Sequence, residues 1–203
     1  MTLKSRQAEH SAKTRAALIR VARRLFALHG YAATPTEELV RQARVTRGAL
    51  YHHFKDKQDL FKAVYDEEQK KLAERTALAA ASAPDAWSAL LIGTNASLEA
   101  CLKPAVHRIL FIDAPAVLGL EKWRESDQSY YLDGMKTVVQ AAMDQGQIER
   151  QPVDPLAHLI LGALTEAAML VAHAEDKDGA RRDVSAAVTR LLEGLRAKQP
   201  AAS

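Results

Sequence analysis

The amino-acid sequence predicts an all-α protein, with a small N-terminal unit of short helices followed by a larger C-terminal helical bundle. Apolar residues recur at helical spacing along most of the chain, and the alternation typical of strands is absent from it. The 203 residues include only nine glycines and seven prolines. Alanine and leucine, both good helix formers, are abundant instead. These features together favour helices throughout.

The first predicted helix runs over residues 11–28, because its apolar residues fall on one face and its basic residues on the other. Gly30 follows as a helix stop. Thr34 and Glu37 then flank a proline in the pattern of a capping box, in which the hydroxyl and the carboxylate each accept from a free amide. A short second helix is therefore expected from this cap to about Ala43.

Two further caps divide the next segment. Thr46 is expected to cap a short third helix over residues 47–53, and Asp56 is expected to cap a long fourth helix over residues 57–80. Only a few residues join the second helix to the third. Two short helices with such a tight connection are typical of a helix-turn-helix.

The remainder of the chain is also predicted to be helical. An apolar helix is expected over residues 85–102, and Pro104 is expected to open another that ends before Asp113. Three more helices are predicted: one that Gly146 ends, one that starts at Asp154, and one from Asp183 onward. The N-terminal helix-turn-helix unit is therefore followed by a helical bundle.

Charge is distributed unevenly along the chain. Residues 1–60 hold 12 lysines and arginines but five acidic residues, a net charge of +7, whereas the remaining 16 basic and 20 acidic residues give −4. A basic N-terminal part on an acidic body is typical of a polyanion-binding domain joined to a part with another task. A basic face that is merely solvated is the alternative interpretation.

Cysteine use and the N-terminus predict a cytoplasmic protein without a membrane partner. Cys101 is the single cysteine, so no internal disulfide can form. We expect it to be a small buried residue, a redox sensor being the alternative. The N-terminal segment lacks the apolar core of a signal peptide, and the uncharged run over residues 86–98 is too short to span a bilayer.

The second helix of a helix-turn-helix lies in the major groove of DNA, where its N-terminal residues contact base edges. Arg47 is the candidate for bidentate contact with a guanine, because its guanidinium matches O6 and N7. Gly48 lets the backbone approach DNA closely, and Ala49 suits a thymine methyl group. Residues of types that bind phosphates lie nearby, namely Thr36, Tyr51 and Lys57.

Residues 13–61, KTRAALIRVARRLFALHGYAATPTEELVRQARVTRGALYHHFKDKQDLF, resemble the DNA-binding domain of the TetR family of transcriptional regulators. The segments LFALHGY, GALYHHF and KDKQDLF carry the resemblance. It implies that nine residues occupy positions facing DNA: Thr36, Thr46, Arg47, Gly48, Ala49, Tyr51, His52, His53 and Lys57. The pattern departs at Arg44, where the family usually has glycine. A left-handed turn residue costs arginine about 1 kcal/mol more than glycine.

The resemblance also implies a domain organisation and partners. A helix-turn-helix domain over residues 11–56 would precede an effector-binding and dimerisation domain over residues 57–198. The implied protein is a homodimer, usually a repressor, that binds a palindromic double-stranded DNA operator and is released by a small-molecule effector, without a cofactor. The small-residue segment GALTEAAMLVAHA and the apolar stripe over residues 184–195 suit a dimer interface.

Polar and aromatic residues within the apolar helices of the body are candidates for effector binding, although each also has an ordinary explanation as a core residue. Glu166 lies in an apolar segment and would need a partner if buried. The candidates are Trp87, Asn95, His107, Phe111, Trp123, Tyr130, Tyr131, His158 and Glu166.

Two other classes of protein remain as alternatives. A DNA-binding architectural protein without an effector would have the same basic head. A helical enzyme is less favoured, because phosphate-binding, dinucleotide-binding, zinc-protease and di-iron motifs are missing from the sequence, and no catalytic residue is predicted.

The adjacent His52 and His53 do not predict a metal site. Side chains of neighbouring residues on a helix point about 100° apart, so these two would not converge on one ion. We expect them to donate hydrogen bonds to DNA, with binding that tightens below a pH of about 6.5 as the imidazoles gain charge.

Overall fold

The computed structural model describes residues 3–197, with side chains from Ala8 onward. The regular secondary structure of the described residues is helical, as predicted, apart from an isolated bridge between Ile148 and Arg196. Residues 1 and 2 of the polar N-terminal segment and residue 198, the predicted end of the body domain, lie outside the described residues. In chain order the elements are α1 Leu3–His29, α2 Thr36–Ala43, α3 Arg47–His53, α4 Lys57–Ala80, α5 Ala86–Cys101, α6 Pro104–His107, a π-helical segment Arg108–Asp113, α7 Ala114–Leu118, α8 Leu120–Ser129, α9 Leu132–Asp144, α10 Val153–His173 and α11 Lys177–Glu193.

Two compact units are distinguished by their internal contacts. The first, called here the head, comprises the chain up to Glu68 together with Pro104–Leu120. The second, called the body, comprises Gln69–Lys103 together with the chain from Glu121 onward. The segment around α6 and α7 therefore belongs to the head by its contacts, although both of its ends continue into the body along the chain.

Several predicted helices are confirmed, and others differ from the expectation. The predicted bounds of α3 and α4 agree with the structure, and the helix expected after Pro104 is present. Its predicted end before Asp113 is wrong, because the helical path continues through the π-helical segment to Leu118. The helix α8 was not predicted, since its sequence LEKWRESDQS carries no continuous apolar stripe.

The head is held together by a core that α1 shares with the two short helices and the start of α4. Leu39 on α2, Leu50 on α3 and the adjacent Phe54 are each at most 2% exposed. Val45, in the turn between α2 and α3, is half-buried. Full burial of each such side chain contributes about 1.5–3 kcal/mol, so this core fixes α2 and α3 against α1.

A second core lies in the body, where α5, α9, α10 and α11 pack together. Its centre includes Trp87, Leu90, Val139, Ile160 and Leu192. Among the described helices, α10 is long and apolar enough by composition to cross a membrane. Seven of its residues are nevertheless buried within the body, which is the environment of the core helix of a globular unit.

Candidate DNA-binding and effector sites

The helix-turn-helix is formed by α2 and α3, joined through a single left-handed residue. Arg44 has φ 56° and ψ 42°, and its amide donates to the carbonyl of Arg41. The amide of Val45 donates to the carbonyl of Val40 in the same turn. These two hydrogen bonds close the end of α2, so the turn keeps its left-handed geometry with an arginine where glycine would be less strained.

The predicted capping box at the start of α2 is wrong. Thr34 is fully buried, and its hydroxyl donates to the carbonyl of Gly30 at 2.7 Å. The helix begins at Thr36, and Pro35 at the N-cap makes no side-chain hydrogen bond. The end of α1 thus offers the Thr34 hydroxyl a carbonyl partner, and Glu37 points elsewhere.

The cap predicted at the start of α3 is confirmed. The Thr46 hydroxyl oxygen accepts a hydrogen bond from the amide of Ala49 at 3.1 Å. This bond satisfies one of the free amides of the first turn. Because an accepting hydroxyl still has its own proton, Thr46 keeps a donor that can be offered to a phosphate oxygen.

Arg47 lies at the exposed N-terminus of α3. Its Nη1 is 3.2 Å from Oε1 of Glu37, and its guanidinium carbon is 5.7 Å from the ring centre of Tyr51. Both members of the ion pair are more than half exposed, so the pair is worth little in water. Arg47 is therefore positioned by two weak contacts that a nucleic acid can replace.

The histidine pair lies at the C-terminal end of α3. The rings of His52 and His53 are 5.2 Å apart and nearly perpendicular. The pKa of His53 is lowered by partial burial, and further by the nearby His52 and Arg15. His53 therefore gains its charge at a lower pH than an ordinary histidine does. Within residues 3–197 no cluster of three or more His, Cys, Asp or Glu side chains is arranged to hold a metal ion.

Lys57 is more engaged with the protein than the sequence suggested. Its Nζ donates to the carbonyls of Tyr31 and Thr34, at 3.0 and 3.1 Å, and lies 4.2 Å from the ring centre of Tyr31. An ammonium group has three N–H donors. One therefore remains for a phosphate, and the predicted DNA contact of Lys57 stays a prediction.

The nine predicted DNA contacts fall into two groups by accessibility. Thr36, Ala49, His53 and Lys57 are half-buried. The others are exposed, namely Thr46, Arg47, Gly48, Tyr51 and His52. Eight of the nine belong to α2, α3 or the start of α4, and Thr46 is the N-cap of α3. All nine are in the head, and residues 1–60 carry the excess of positive charge.

The head also contains a segment from late in the sequence. Oδ2 of Asp113 accepts from the amide of Tyr31 at 2.9 Å, and Arg108 Nη1 donates to the carbonyl of Leu28 at 3.2 Å. The Gln58 side chain donates to the carbonyl of Val117 at 2.6 Å. Residues 104–120 are thus hydrogen-bonded to α4 and to the end of α1, the helix that supports α2 and α3.

The candidate effector residues are divided between the head and the body. His107 and Phe111 are buried in the head, with ring centres 6.0 Å apart. Trp87 is part of the apolar core of the body. Asn95 and Glu166 are exposed. Because Glu166 is not buried in the single chain, it does not need a partner there.

The other four candidates lie in the body. Trp123 is buried, whereas Tyr130 and Tyr131 are half-buried with ring centres 6.5 Å apart. His158 is half-buried, and its Nε2 is 3.7 Å from a carboxylate oxygen of Asp154. The hydroxyl of Tyr131 also donates to Gln69, which is part of a buried polar cluster.

A buried polar cluster in the body was missed by the sequence analysis. Oδ1 of Asp127 accepts from Nε2 of Gln69 at 2.7 Å, and Oδ2 accepts from the hydroxyl of Thr165 at 2.9 Å. The Tyr131 hydroxyl donates to Oε1 of Gln69 at 2.7 Å. Asp127 lies within the polar run ESDQS, so only its spacing of four from Trp123 pointed inward.

Burial sets the protonation of this cluster. It raises the pKa of Asp127, although the hydrogen bonds from Gln69 and Thr165 partly oppose the shift. Burial also raises the pKa of Cys101 to about 12, with a contribution from the negative charge of Asp127. Cys101 is therefore a protonated, unreactive thiol, consistent with its prediction as a small buried residue.

The fold and the head define the class of the protein. Two short helices with a tight left-handed turn, an exposed arginine at the N-terminus of the second helix and a surplus of positive charge are the features of a helix-turn-helix DNA-binding protein. The helical body attached to it makes the protein a two-part regulator rather than an isolated DNA-binding module.

Comparison with known proteins gives the family. Residues 18–64 match the bacterial regulatory proteins of the tetR family, and residues 87–195 match the tetracyclin repressor-like C-terminal domain. The chain therefore belongs to the TetR family and is a DNA-binding transcriptional regulator. The family consists of regulators rather than enzymes.

Individual relatives extend the comparison. A TetR-family transcriptional regulator from Pectobacterium atrosepticum has 35% sequence identity and a TM-score of 0.85, over 95% of this chain and 98% of that one. The Transposon Tn10 TetC protein of Escherichia coli is 26% identical over 80% of this chain and 82% of its own length. The regulator AcrR of Shigella flexneri is 39% identical over 32% of this chain and 31% of its own.

Proposed function

We propose that the protein is a homodimeric, cytoplasmic repressor that binds a palindromic operator and is released from it by a small molecule. In this proposal residues 11–56 recognise DNA, and residues 57–198 bind the effector and form the dimer. The observation that carries the proposal is the capped, exposed N-terminus of α3 with Arg47 at its first position.

The contacts to DNA follow from that helix end. Arg47 would leave Glu37 for the O6 and N7 atoms of a guanine, which offer a better matched acceptor pair than a single exposed carboxylate. Thr46 and Tyr51 would donate to phosphates on either side. The free amides at the N-terminus of α3 add a positive dipole end to the same surface.

The dimer would form through α10 and α11. Leu159 and Leu170 on α10 are 70% and 56% exposed, and Leu191 on α11 is 56% exposed. Gly162 and Glu166 lie between the first two leucines on the exposed side of α10. Large apolar side chains exposed on two neighbouring helices favour a self-complementary interface between two copies of the chain.

Effector and operator would be coupled through residues 104–120. Within the head, these residues are hydrogen-bonded to Leu28 on α1, to Tyr31 and to Gln58 on α4, and the chain continues from both of their ends into the body. A change in the body on effector binding would move residues 104–120. This movement would shift α1, which supports α2 and α3, and so change the distance between the two α3 helices of the dimer. By linkage, effector and operator then weaken each other's binding by the same factor.

Selection from random double-stranded DNA with the purified full chain tests this proposal. We expect a palindromic consensus whose half-sites lie about 10 base pairs apart, or a multiple of that spacing. Enrichment without a consensus, with an affinity that depends on salt alone, would instead support an architectural DNA-binding protein.

The dimer interface is tested separately by Leu170→Glu. The charged side chain should split the dimer in sedimentation experiments and lower operator affinity, because two half-sites are then no longer bound together. Leu78→Glu is a control, since Leu78 on α4 is even more exposed, at 77%. If both variants have the same oligomeric state as the unchanged chain, α10 is not part of the dimer interface.

A further inference from the structure

The body contains a buried carboxylate whose hydrogen-bond partners are all neutral. Asp127 is 7% exposed, and its two oxygens accept from the amide of Gln69 and the hydroxyl of Thr165. Among the described residues no cationic side chain forms an ion pair with it. A carboxylate has about four acceptor positions, so each oxygen of Asp127 keeps capacity for another donor.

Aromatic side chains lie next to this carboxylate. Trp123 precedes Asp127 by four residues on α8, so the two side chains are neighbours on one face of the helix, and Trp123 is 1% exposed. The hydroxyl of Tyr131 reaches the same cluster through Gln69. The face of a tryptophan or tyrosine ring attracts a cation, most strongly where water is excluded.

Two unpartnered hydroxyls lie in the same body. The hydroxyl oxygens of Thr76 and Thr94 are buried and make no hydrogen bond within the described residues, and Thr94 is 3% exposed. Thr76 and Thr94 come from facing stretches of α4 and α5, because a Cβ added at Gly93 would lie 3.7 Å from Cγ2 of Thr76. Buried polar groups in proteins are nearly always satisfied, so this pair calls for a partner.

Helix geometry relates the hydroxyls to the carboxylate. Thr76 is seven residues beyond Gln69 on α4, and Thr94 is seven residues before Cys101 on α5. Seven residues are two turns on the same face, or about 10 Å. Gln69 donates a hydrogen bond to Asp127, and the charge of Asp127 contributes to the raised pKa of Cys101. Both hydroxyls are thus displaced by about two helical turns from the Asp127 cluster.

We propose that the Asp127 cluster is the effector site and that the effector is an organic cation, a protonated amine attached to an aromatic or apolar group. The ammonium end pairs with Asp127 beside Trp123, and a polar atom at the other end, about 10 Å away, bonds to Thr76 or Thr94. This inference rests on the proposed function, because it names the chemical class of the molecule that releases the operator.

The electrostatics of the cluster agree with this chemistry. Burial without a cation disfavours the ionised carboxylate, as the raised pKa of Asp127 indicates. An ammonium group placed beside the carboxylate favours its ionised form and supplies the missing donor. A carboxylate ligand would instead meet a like charge, and a neutral ligand would leave the burial of Asp127 uncompensated.

Binding of matched probes to the purified full chain tests the proposal. Calorimetry at pH 7 with 4-(2-aminoethyl)phenol and 4-(4-aminobutyl)phenol, whose phenol hydroxyl supplies the second polar atom, is compared with the compounds in which an alcohol or a carboxylate replaces the amine. We expect the amines to bind, and each corresponding alcohol and carboxylate to bind at least about tenfold more weakly. This ranking is measured on the unchanged chain, so it does not depend on whether a variant folds.

A pair of variants locates the site. Asp127→Asn should weaken amine binding about 30-fold or more, because it removes one partner of a buried charge pair. Asp133→Asn, which removes an exposed carboxylate on α9, should leave the affinity unchanged. Circular dichroism and operator binding confirm that both variants are folded.

Three results would overturn the inference: no binding by the amines, a preference for the alcohols or carboxylates, or equal amine affinity in Asp127→Asn and the unchanged chain. Release of the operator by a neutral or anionic compound would also reject the cation, while leaving the proposed function in place. Lack of any selected operator would reject the proposed function itself, whatever the amines do.

Discussion

The carboxylate of Asp113 accepts a hydrogen bond from the backbone amide of Tyr31 at 2.9 Å, across 82 residues of sequence. Tyr31 directly follows Gly30, whose φ of 84° turns the chain out of α1. An ideal Cβ at Gly30 would lie 3.6 Å from both oxygens of Asp113. The carboxylate therefore lies directly against the turn that leads from α1 to α2.

Asp113→Ala should lower the free energy of unfolding by about 1 kcal/mol, because a charged hydrogen bond to a backbone amide is lost from a half-exposed position. The proposed coupling adds a second expectation, namely that effector then changes operator affinity by a smaller factor. Urea unfolding and operator titration, each with and without effector, measure the two effects. Asp113→Asn keeps an acceptor oxygen and is the control. Equal coupling in both variants would remove this bond from the release mechanism.

Arg47→Ala should cost about 1–3 kcal/mol in operator binding and relax the choice of base at one position. The reason is that a bidentate guanine contact is lost and no other side chain of α3 can replace its geometry. Affinities for the selected operator and its single-base variants measure the effect. The body variant Arg124→Ala should leave the affinity nearly unchanged. A uniform loss over all sequences would make Arg47 a phosphate contact instead.

Thr46→Ala and Thr36→Ala should have different effects on stability. Removal of the Thr46 hydroxyl deprives α3 of its cap and should cost about 1 kcal/mol of unfolding free energy. Thr36 is the first residue of α2 and supplies no cap, so its replacement should change stability by less than about 0.5 kcal/mol. Denaturant unfolding of both variants checks this contrast. Equal losses would contradict the assigned caps.

Asp127 should make stability depend on pH. Its pKa in the folded protein is raised by burial, so the folded state binds more protons than the unfolded state at pH values between the unfolded and folded pKa values. The contribution of Asp127 to stability is therefore fully present below its unfolded pKa of about 3.9, and it is lost as the pH rises through the folded value.

Asp127→Asn should remove this dependence, since an amide does not titrate. The variant should be more stable than the unchanged chain at pH 7, and the difference should shrink as the pH is lowered. Midpoints of denaturant unfolding from pH 4 to pH 8 measure the difference, with Asp133→Asn as the control. A difference that is constant over this range would mean that Asp127 has the same pKa in both states.

Local signals explain which parts of the fold could be predicted. The bounds of α3 and α4 follow from Thr46 and Asp56, whose side chains both accept from amides of the first turn. Thr34 is the same type of residue, but the cap predicted from it is wrong, because its hydroxyl donates to the carbonyl of Gly30, just after α1. The spacing of residues in the sequence does not reveal this partner. The Thr34-Pro35 pair correctly indicated the turn before α2, but it did not indicate the hydrogen-bond partner of the Thr34 hydroxyl.

Contacts between distant residues could not be predicted. The bonds of Asp127 join residues 58 and 38 positions apart, and no periodicity in a single sequence specifies such a pairing. The resemblance to the TetR family identified the DNA-facing helix, yet it gave no reason to choose Asp127 over the more conspicuous Glu166. For Arg44, the sequence showed that arginine replaces the usual glycine. It did not show that the turn keeps its left-handed geometry.

The π-helical segment Arg108–Asp113 also has a genetic consequence. The amide of Ala114 bonds to the carbonyl of Ile109, five residues earlier, so this turn contains one residue more than an α-helical turn does. The extra residue brings three consecutive side chains, Ile109, Leu110 and Phe111, into the interior. Because the wider turn absorbs this residue, deletion of a single codon within the segment would leave an unbroken α-helix, with Asp113 in about the same direction relative to the preceding helix. The hydrogen bond from Tyr31 to Asp113 is therefore expected to survive the loss of one residue here, whereas the same deletion in a regular α-helix would rotate every later side chain by about 100°.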